Sequence, residues 1–252
     1  MRLPIFLIHG FPFDGCMWES QVAFLQTAEG GSFHVVAPDL PGFGQPALLP
    51  APSAESASIE GFAEDVHHCI RSLGGRAIVG GFSMGGYILQ ALLRAFPHDV
   101  AAAMFISTRA DADSPEARAN RLKSIGDVRA HGTAGLVAAM TTRLLGRDPT
   151  PELKNRMREL MSRQSPAAVI AAQSAMSRRR DQTDLLPQIA VPTLLIAGTQ
   201  DAVTPLSVPR AMQALIPGSR LVEIPAAGHM TPVEAPRAVA IAIRDFAVTI
   251  ET

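Results

Sequence analysis

The chain has few cysteines, no large excess of positive or negative charge, and no long hydrophobic run. Its two cysteines, Cys16 and Cys69, cannot build a disulfide framework or a zinc site of four thiolates. With 22 basic and 23 acidic residues, the net charge of −1 gives no reason to expect binding to nucleic acid or to a membrane surface. No apolar run reaches the roughly 18 residues of a membrane span, and residues 1–8 lack the features of a signal peptide. We therefore expect a cytoplasmic protein.

Apolar residues are plentiful, at 47% of 252 residues, and their order along the chain is informative. Short runs typical of buried strands alternate with segments of helical spacing. In the segment 59–73, apolar residues recur at steps of three and four, with Ser58 as the expected N-cap and Gly74 as the expected stop. The predicted strands are 3–8, 32–38, 76–82, 101–107, 192–197 and 220–224. This order predicts an α/β fold with a doubly wound, mostly parallel sheet of about six strands.

One helical block interrupts the alternation before the penultimate strand. The segment 114–180 is rich in Ala, Arg and Met, and breaks near Gly132, 146–151 and 165–166 divide it into about four helices. We interpret residues 111–184 as a helical cap, and residues 1–110 and 185–252 as the α/β core that carries it.

The sequence Gly81-Phe82-Ser83-Met84-Gly85 carries the strongest chemical signal, because it matches Gly-x-Ser-x-Gly between a predicted strand and a predicted helix. A serine at such a turn projects its hydroxyl from the sheet edge. Its neighbours crowd one another, which favours glycine at both ends of the motif. The helix that follows directs free N–H groups at the point where negative charge develops.

With its surroundings, this motif resembles the α/β-hydrolase family, and the resemblance runs almost from end to end. It extends over His9-Gly10-Phe11-Pro12, the segment 39–44, the serine turn, the segment 195–201 and Gly228-His229-Met230. In that family the catalytic residues follow the order nucleophile, acid, base, and Ser83, Asp201 and His229 stand in that order here. Each follows a predicted strand, so each should lie at the carboxyl edge of a parallel sheet.

The resemblance and the chemistry assign the roles. Ser83 is the expected nucleophile, His229 the base that takes its proton, and Asp201 the acid that orients the imidazole. The resemblance also implies two oxyanion donors, the backbone N–H groups of Phe11 and Met84. Asp111, or its neighbour Asp113, remains the alternative to Asp201, because some relatives carry the acid after the strand that precedes the cap.

The residue types near these turns suggest an apolar substrate pocket. Its expected members are Phe13, Trp18, Phe82, Met140 and Met157. We expect a small-molecule ester or lactone as substrate, and neither a metal nor a cofactor. A homodimer is compatible with the sequence.

The amino acids within these motifs are similar to those of 3-oxoadipate enol-lactonases and small carboxylesterases. It implies hydrolysis through an acyl-enzyme intermediate. Cofactor-free perhydrolases (haloperoxidases) and carbon–carbon bond hydrolases share these motifs and remain alternatives. An acyltransferase or a non-catalytic binding module is a more distant alternative.

The resemblance is incomplete at one point. Members of the family usually begin with a strand hairpin before the His-Gly strand, and His9 lies too near the start of this sequence for that hairpin. We therefore expect the hairpin to be missing and the segment 32–38 to lie at a sheet edge.

Overall fold

A computed structural model describes residues 2–250 of the chain. These residues form six strands and ten α-helices. The strands are β1 (Ile5–Ile8), β2 (Val35–Val36), β3 (Ala77–Phe82), β4 (Val100–Ile106), β5 (Thr193–Gly198) and β6 (Arg220–Ile224). The helices are α1 (Glu19–Leu25), α2 (Ile59–Ser72), α3 (Met84–Ala95), α4 (Pro115–His131), α5 (Ala134–Arg143), α6 (Pro151–Ser162), α7 (Pro166–Arg178), α8 (Ser207–Leu215), α9 (Thr231–Glu234) and α10 (Pro236–Ile250). Three 3₁₀ turns lie at Gly15–Trp18, Pro97–Asp99 and Thr183–Gln188.

The six strands form one sheet in the order β2-β1-β3-β4-β5-β6, and every neighbouring pair is parallel. This confirms the predicted fold class. The segment 32–38 lies at the edge as expected, but only two of its residues pair with β1. Pro38 limits the strand, because proline has no N–H to donate to a ladder.

Both faces of the sheet are covered, which explains why its central strands are apolar throughout. Side chains alternate between the faces: Ile5 and Leu7 of β1 join one apolar cluster, while Phe6 and Ile8 join the other. The first cluster packs against α10, and the second against α2 and α3.

Four helices, α4 to α7, enter between β4 and β5, where the sequence predicts the insertion. Ser114, Thr150 and Ser165 cap three of them, each accepting a hydrogen bond from a backbone N–H three residues later. In all three the next residue is proline, whose fixed φ suits the first helical position. The start of each of these three helices is therefore determined by neighbouring residues in the sequence.

Within residues 2–250, no helix combines the length and the apolar character needed to cross a membrane. Over the same residues, no group of three His, Cys, Asp or Glu side chains is arranged to hold a metal ion.

Candidate active site

Ser83 lies at the sharp turn between β3 and α3. Its φ of 50° and ψ of −109° are rare for a residue with a side chain. A Cβ on Gly81 would lie 2.2 Å from the carbonyl oxygen of Gly85, and a Cβ on Gly85 would lie 2.4 Å from that of Ile8. The Thr108 hydroxyl donates to the Ser83 carbonyl at 2.7 Å and supports the turn. The glycines at both ends of the motif are therefore required by close backbone contacts.

The structure brings Ser83, His229 and Asp201 together. Nε2 of His229 lies 2.9 Å from Oγ of Ser83, and Nδ1 lies 2.8 Å from Oδ2 of Asp201. An ionised Asp201 can only accept a hydrogen bond, so Nδ1 carries the ring proton. Nε2 is then free to accept the proton of Ser83, which is the arrangement that general-base activation of a serine requires.

Asp201 is buried, and its carboxylate is well supplied with hydrogen-bond donors. Oδ1 accepts the N–H groups of Val203 and Thr204 at 2.7 and 2.8 Å, and Oδ2 accepts the Thr204 hydroxyl at 2.5 Å. Burial by itself raises the pKa of Asp201, but hydrogen bonds from His229 and Thr204 and the charge of His229 bring it below its ordinary value. Asp201 is therefore ionised throughout the neutral pH range.

Thr204 was not identified from the sequence. The signal was present, because an Asp followed three residues later by Thr is typical of a turn in which the carboxylate accepts local N–H groups.

The alternative acid residues face other partners. Asp111 forms an ion pair with Arg109, and Asp113 accepts hydrogen bonds from Arg121 and Arg179. The contact with His229 belongs to Asp201 instead.

The two residues expected to supply the oxyanion donors flank Ser83. Met84 is the first residue of α3, where the N–H has no partner within the helix. Phe11 lines the same cavity as Ser83 and His229. Gly10 allows this approach, because a Cβ there would lie 2.9 Å from the Phe82 carbonyl oxygen and closer still to the Phe82 ring.

A cavity of about 480 Å³ opens above Ser83 and His229. Its walls come largely from the inserted helices α4, α5 and α7. The larger apolar residues of the lining are Phe11, Leu136, Met140, Leu144, Met176 and Val203.

Of the five residues predicted for the pocket, the structure places Met140 in the lining of this cavity and the other four elsewhere. Phe13, Trp18, Phe82 and Met157 are fully buried in the apolar cluster on one face of the sheet. Phe82 is adjacent to Ser83, and successive residues at the end of a strand point in opposite directions. Its ring packs 5.2 Å from that of His229, and the Phe13 and Trp18 rings lie edge-on to it. Phe82 thus packs against the imidazole, and Phe13 and Trp18 pack against Phe82.

Comparison with known proteins identifies the group to which this fold and site belong. A model of the alpha/beta hydrolase family matches residues 5–242. The chain belongs to the α/β-hydrolase family. The resemblance inferred from its motifs is thereby confirmed.

Proteins similar to this α/β-hydrolase include esterases and a lactonase. It is 29% identical to a pimeloyl-[acyl-carrier protein] methyl ester esterase of Neisseria meningitidis, over 96% of this chain and 76% of that protein. It is also 29% identical to 3-oxoadipate enol-lactonase 1 of Acinetobacter baylyi, over 88% of this chain and 80% of that protein. One further relative, a bifunctional protein, is longer, and the chain spans 44% of its length.

Among solved structures, a thermophilic esterase from Thermogutta terrifontis is 37% identical to this hydrolase, with a TM-score of 0.92. The match covers 99% of this chain and 91% of that one.

His9 has a structural role behind the oxyanion turn of the hydrolase. Its Nε2 accepts the N–H of Leu40 at 3.0 Å, and its Nδ1 lies 3.0 Å from the carbonyl oxygen of Gly10, to which it donates. Burial lowers the pKa of His9 below the ordinary value of 6.5, against the opposing effects of the Gly10 hydrogen bond and of Asp39 and Asp14. The neutral ring therefore joins two loops of the site.

The lowered pKa of His9 should make the free energy of unfolding depend on pH. The folded-state pKa lies below the unfolded-state value, so the contribution of His9 is complete above pH 6.5 and is lost as the pH falls through the lowered pKa. We expect the free energy of unfolding in urea to fall more between about pH 7.5 and about pH 5.5 in the wild type than in His9→Asn, which cannot titrate. His34→Asn, at an exposed histidine, should retain the wild-type dependence. Equal pH dependence in all three proteins would contradict the assignment.

The end of α5 is bound to the loops that carry the acid and the base. The Leu144 carbonyl oxygen accepts the N–H groups of His229 and Met230 at 2.9 and 3.2 Å. The Gly146 N–H donates to Oε2 of Glu234 at 2.7 Å. Nearby, the N–H of Arg147 donates to the side chain of Gln200 at 2.6 Å. Because these contacts join residues distant in sequence, no local pattern predicts them.

Glu234 should stabilise this junction. Glu234→Ala leaves the half-buried Gly146 N–H without its acceptor, and a hydrogen bond to a charged group contributes about 1.5–3 kcal/mol. Glu234→Gln keeps an amide oxygen that can accept this bond, so we expect a smaller loss of unfolding free energy in urea. Glu223→Ala, which removes an exposed ion pair with Arg210, is the matched control and should cost less than about 1 kcal/mol. Equal losses in the Ala and Gln variants at position 234 would contradict the assignment of this stabilisation to an oxygen that accepts the Gly146 N–H.

Proposed function

We propose that this α/β-hydrolase is a serine hydrolase that cleaves a carboxylic ester or lactone through an acyl-enzyme intermediate. The observation that carries the proposal is the chain of contacts from Asp201 through His229 to Oγ of Ser83, with distances of 2.8 and 2.9 Å. These residues meet at a cavity large enough for a small molecule. The similarity to esterases and to a lactonase supports the same reaction class.

Acylation follows from this geometry. Nε2 of His229 takes the proton of Ser83 as Oγ attacks the carbonyl carbon, and the N–H groups of Phe11 and Met84 stabilise the resulting oxyanion. Asp201 stabilises the imidazolium that forms. When the intermediate collapses, the bond to the leaving oxygen breaks, and His229 returns the proton to the alcohol that departs.

Deacylation repeats these steps with water. His229 takes a proton from a water molecule, whose oxygen attacks the acyl carbon, and then returns the proton to Oγ of Ser83 as the acid is released. In a lactone, acyl group and leaving alcohol belong to one molecule, so the product is a single hydroxy acid.

A serine-directed phosphonate probe tests the proposal together with a series of esters and lactones of increasing chain length. We expect one equivalent of label on Ser83, release of acid from at least one substrate class, and loss of both in Ser83→Ala. Labelling at another residue, or turnover that survives in Ser83→Ala, would refute the proposal.

Product analysis separates hydrolysis from the related reactions. With hydrogen peroxide or an alcohol added, a hydrolase still releases mainly the free acid. A dominant peracid or transferred ester would instead indicate the perhydrolase or acyltransferase alternative.

A further inference from the structure

One wall of the cavity is polar, although it belongs to a helix that packs against the rest of the insertion. The face of α4 that lines the cavity carries Ala117, Asn120, Arg121 and Ser124, at the three- and four-residue spacing of one helix side. The facing residues of α5 are mainly apolar, with Leu136 and Met140 among them. The cavity therefore has an aliphatic side and a hydrogen-bonding side.

Arg121 is held in a fixed position on the polar side. Its Nε donates to Asp113 at 2.5 Å, and its Nη1 donates to Oε1 of Gln173 at 3.1 Å. Gln173 is itself buried and donates to the hydroxyl of Ser124 at 3.2 Å. A guanidinium carries five N–H groups, so Arg121 keeps donors beyond those that orient it.

Asp113 is shared between two arginines. Arg179 also donates to it, and the side chains of Asp113 and Arg179 are only 8% and 4% exposed, against 22% for Arg121. Burial raises the pKa of Asp113, but the hydrogen bonds and charges of Arg121 and Arg179 bring it below its ordinary value, so the carboxylate is ionised. Asp113 is therefore shared by Arg121 and Arg179, and the charge of Arg179 also acts on Asp181.

The charged side chains that line the cavity itself are mainly positive. Arg109 and Asp111 form a pair of their own, and Arg143 lines the cavity from the end of α5 without an ion pair to any residue in the range 2–250. Among the described lining residues, Glu116 supplies a carboxylate, from an exposed position. The two arginines of the lining outweigh it.

We propose that the ester or lactone cleaved at Ser83 carries a carboxylate on its acyl part, bound by Arg121 and Arg143, so that the preferred substrates are monoesters of dicarboxylic acids or lactones of hydroxy-dicarboxylic acids. This rests on the proposed function. A guanidinium held in place binds a carboxylate through charge-assisted hydrogen bonds, and Arg121 keeps N–H groups that can donate to it. The aliphatic side of the cavity accommodates the methylene groups between the two carbonyl carbons.

A cavity that binds this carboxylate prefers the charged ester, whereas an apolar pocket prefers the neutral one. Without a charged partner, transfer of a carboxylate from water into the cavity is strongly unfavourable, so an ordinary pocket prefers the neutral ester. Substrates that differ only in a terminal methyl or carboxylate group therefore give opposite results under the two interpretations.

The experiment compares kcat/KM for matched methyl esters by titrating the acid released. The pairs are monomethyl succinate with methyl butanoate, monomethyl glutarate with methyl pentanoate, and monomethyl adipate with methyl hexanoate. We expect at least one monoester to exceed its neutral partner by roughly tenfold or more, which corresponds to about 1.4 kcal/mol of differential binding. A neutral ester that is cleaved equally well or better in every pair would overturn the proposal, while Ser83 labelling and ester cleavage would leave the proposed function intact.

Variants show which side chains produce the preference. The ratio of kcat/KM for the monoester to kcat/KM for the neutral ester should fall to near or below one in Arg121→Gln. Arg143 is exposed, so the ratio should fall by less in Arg143→Gln. Arg118→Gln, on the same helix but outside the cavity lining, should keep the wild-type ratio. Because the ratio is measured on one preparation, a smaller folded fraction does not change it. An unchanged ratio in both Arg121→Gln and Arg143→Gln would refute the assignment.

A second pair tests which part of the substrate carries the charge. The esters are 4-acetoxybutanoate, with the carboxylate on the alcohol side, and butyl acetate. We expect no preference for the charged member of this pair. A preference here, and none in the monoester pairs, would overturn the assignment to the acyl part.

Discussion

His229→Ala should lower kcat by about 10⁶-fold, the size of effect seen when the base or the nucleophile of a Ser-His-Asp site is removed. Oγ of Ser83 has its base at 2.9 Å in His229, and without that base its proton has no acceptor as it attacks the ester. The measurement is kcat for an ester substrate that the wild type cleaves. Phosphonate labelling of Ser83 should slow in parallel, since it needs the same activated oxygen.

Two controls separate chemistry from folding. His131→Ala, at an exposed histidine in the last turn of α4, should retain wild-type turnover. Imidazole added to His229→Ala can enter the space that the side chain leaves and should restore part of the rate. Near-normal turnover in His229→Ala without imidazole would mean that another group is the base.

Asp201→Asn should lower kcat by about 10⁴-fold while the fold is retained. The backbone determines how the new amide is oriented. The N–H groups of Val203 and Thr204 donate to the Oδ1 position, so the amide oxygen occupies that position and the NH₂ group takes the place of Oδ2. That NH₂ group faces Nδ1 of His229 and donates to it, so the ring proton stays on Nε2. A protonated Nε2 cannot accept the proton of Ser83.

Asp111→Asn is the matched control, because Asp111 was the alternative acid in the sequence and pairs with Arg109 in the structure. We expect it to change kcat by less than about tenfold. The comparison needs kcat and a urea unfolding curve for both variants. A larger loss in Asp111→Asn than in Asp201→Asn would move the catalytic acid to the end of β4.

Features of the fold that depend on neighbours in sequence were predictable. Helix α2 begins after Ser58, whose hydroxyl accepts the N–H of Gly61, and Gly74 follows its end with a φ of +111°. The predicted apolar stripe of that helix is buried except at Leu73, which is half-buried, and at Cys69, which is exposed. Caps and helix stripes are set within a few residues, so the amino-acid order contains them.

The positions of Ser83, Asp201 and His229 were also predictable, for a reason of topology. In a parallel sheet, residues that follow different strands meet at the carboxyl edge, so turns far apart in the chain converge. Glycine at 81 and 85 marks a backbone approach too close for any side chain, and that requirement is visible in the sequence.

The walls of the cavity were decided only by the tertiary structure. Phe13, Trp18 and Phe82 are of residue types that often line substrate pockets, but they are buried on one face of the sheet. Phe82 packs against His229, because Phe82 and Ser83 point in opposite directions at the end of one strand, and the other two rings pack against Phe82. The polar wall and the bond between Gly146 and Glu234 depend on how the inserted helices lie on the core. By itself the sequence determined where the strands lie along the chain, the serine turn and the three converging loops, since these follow from local backbone preferences and parallel pairing. Which side chains face the substrate follows from long-range packing between helices, for which no short stretch of sequence holds the information.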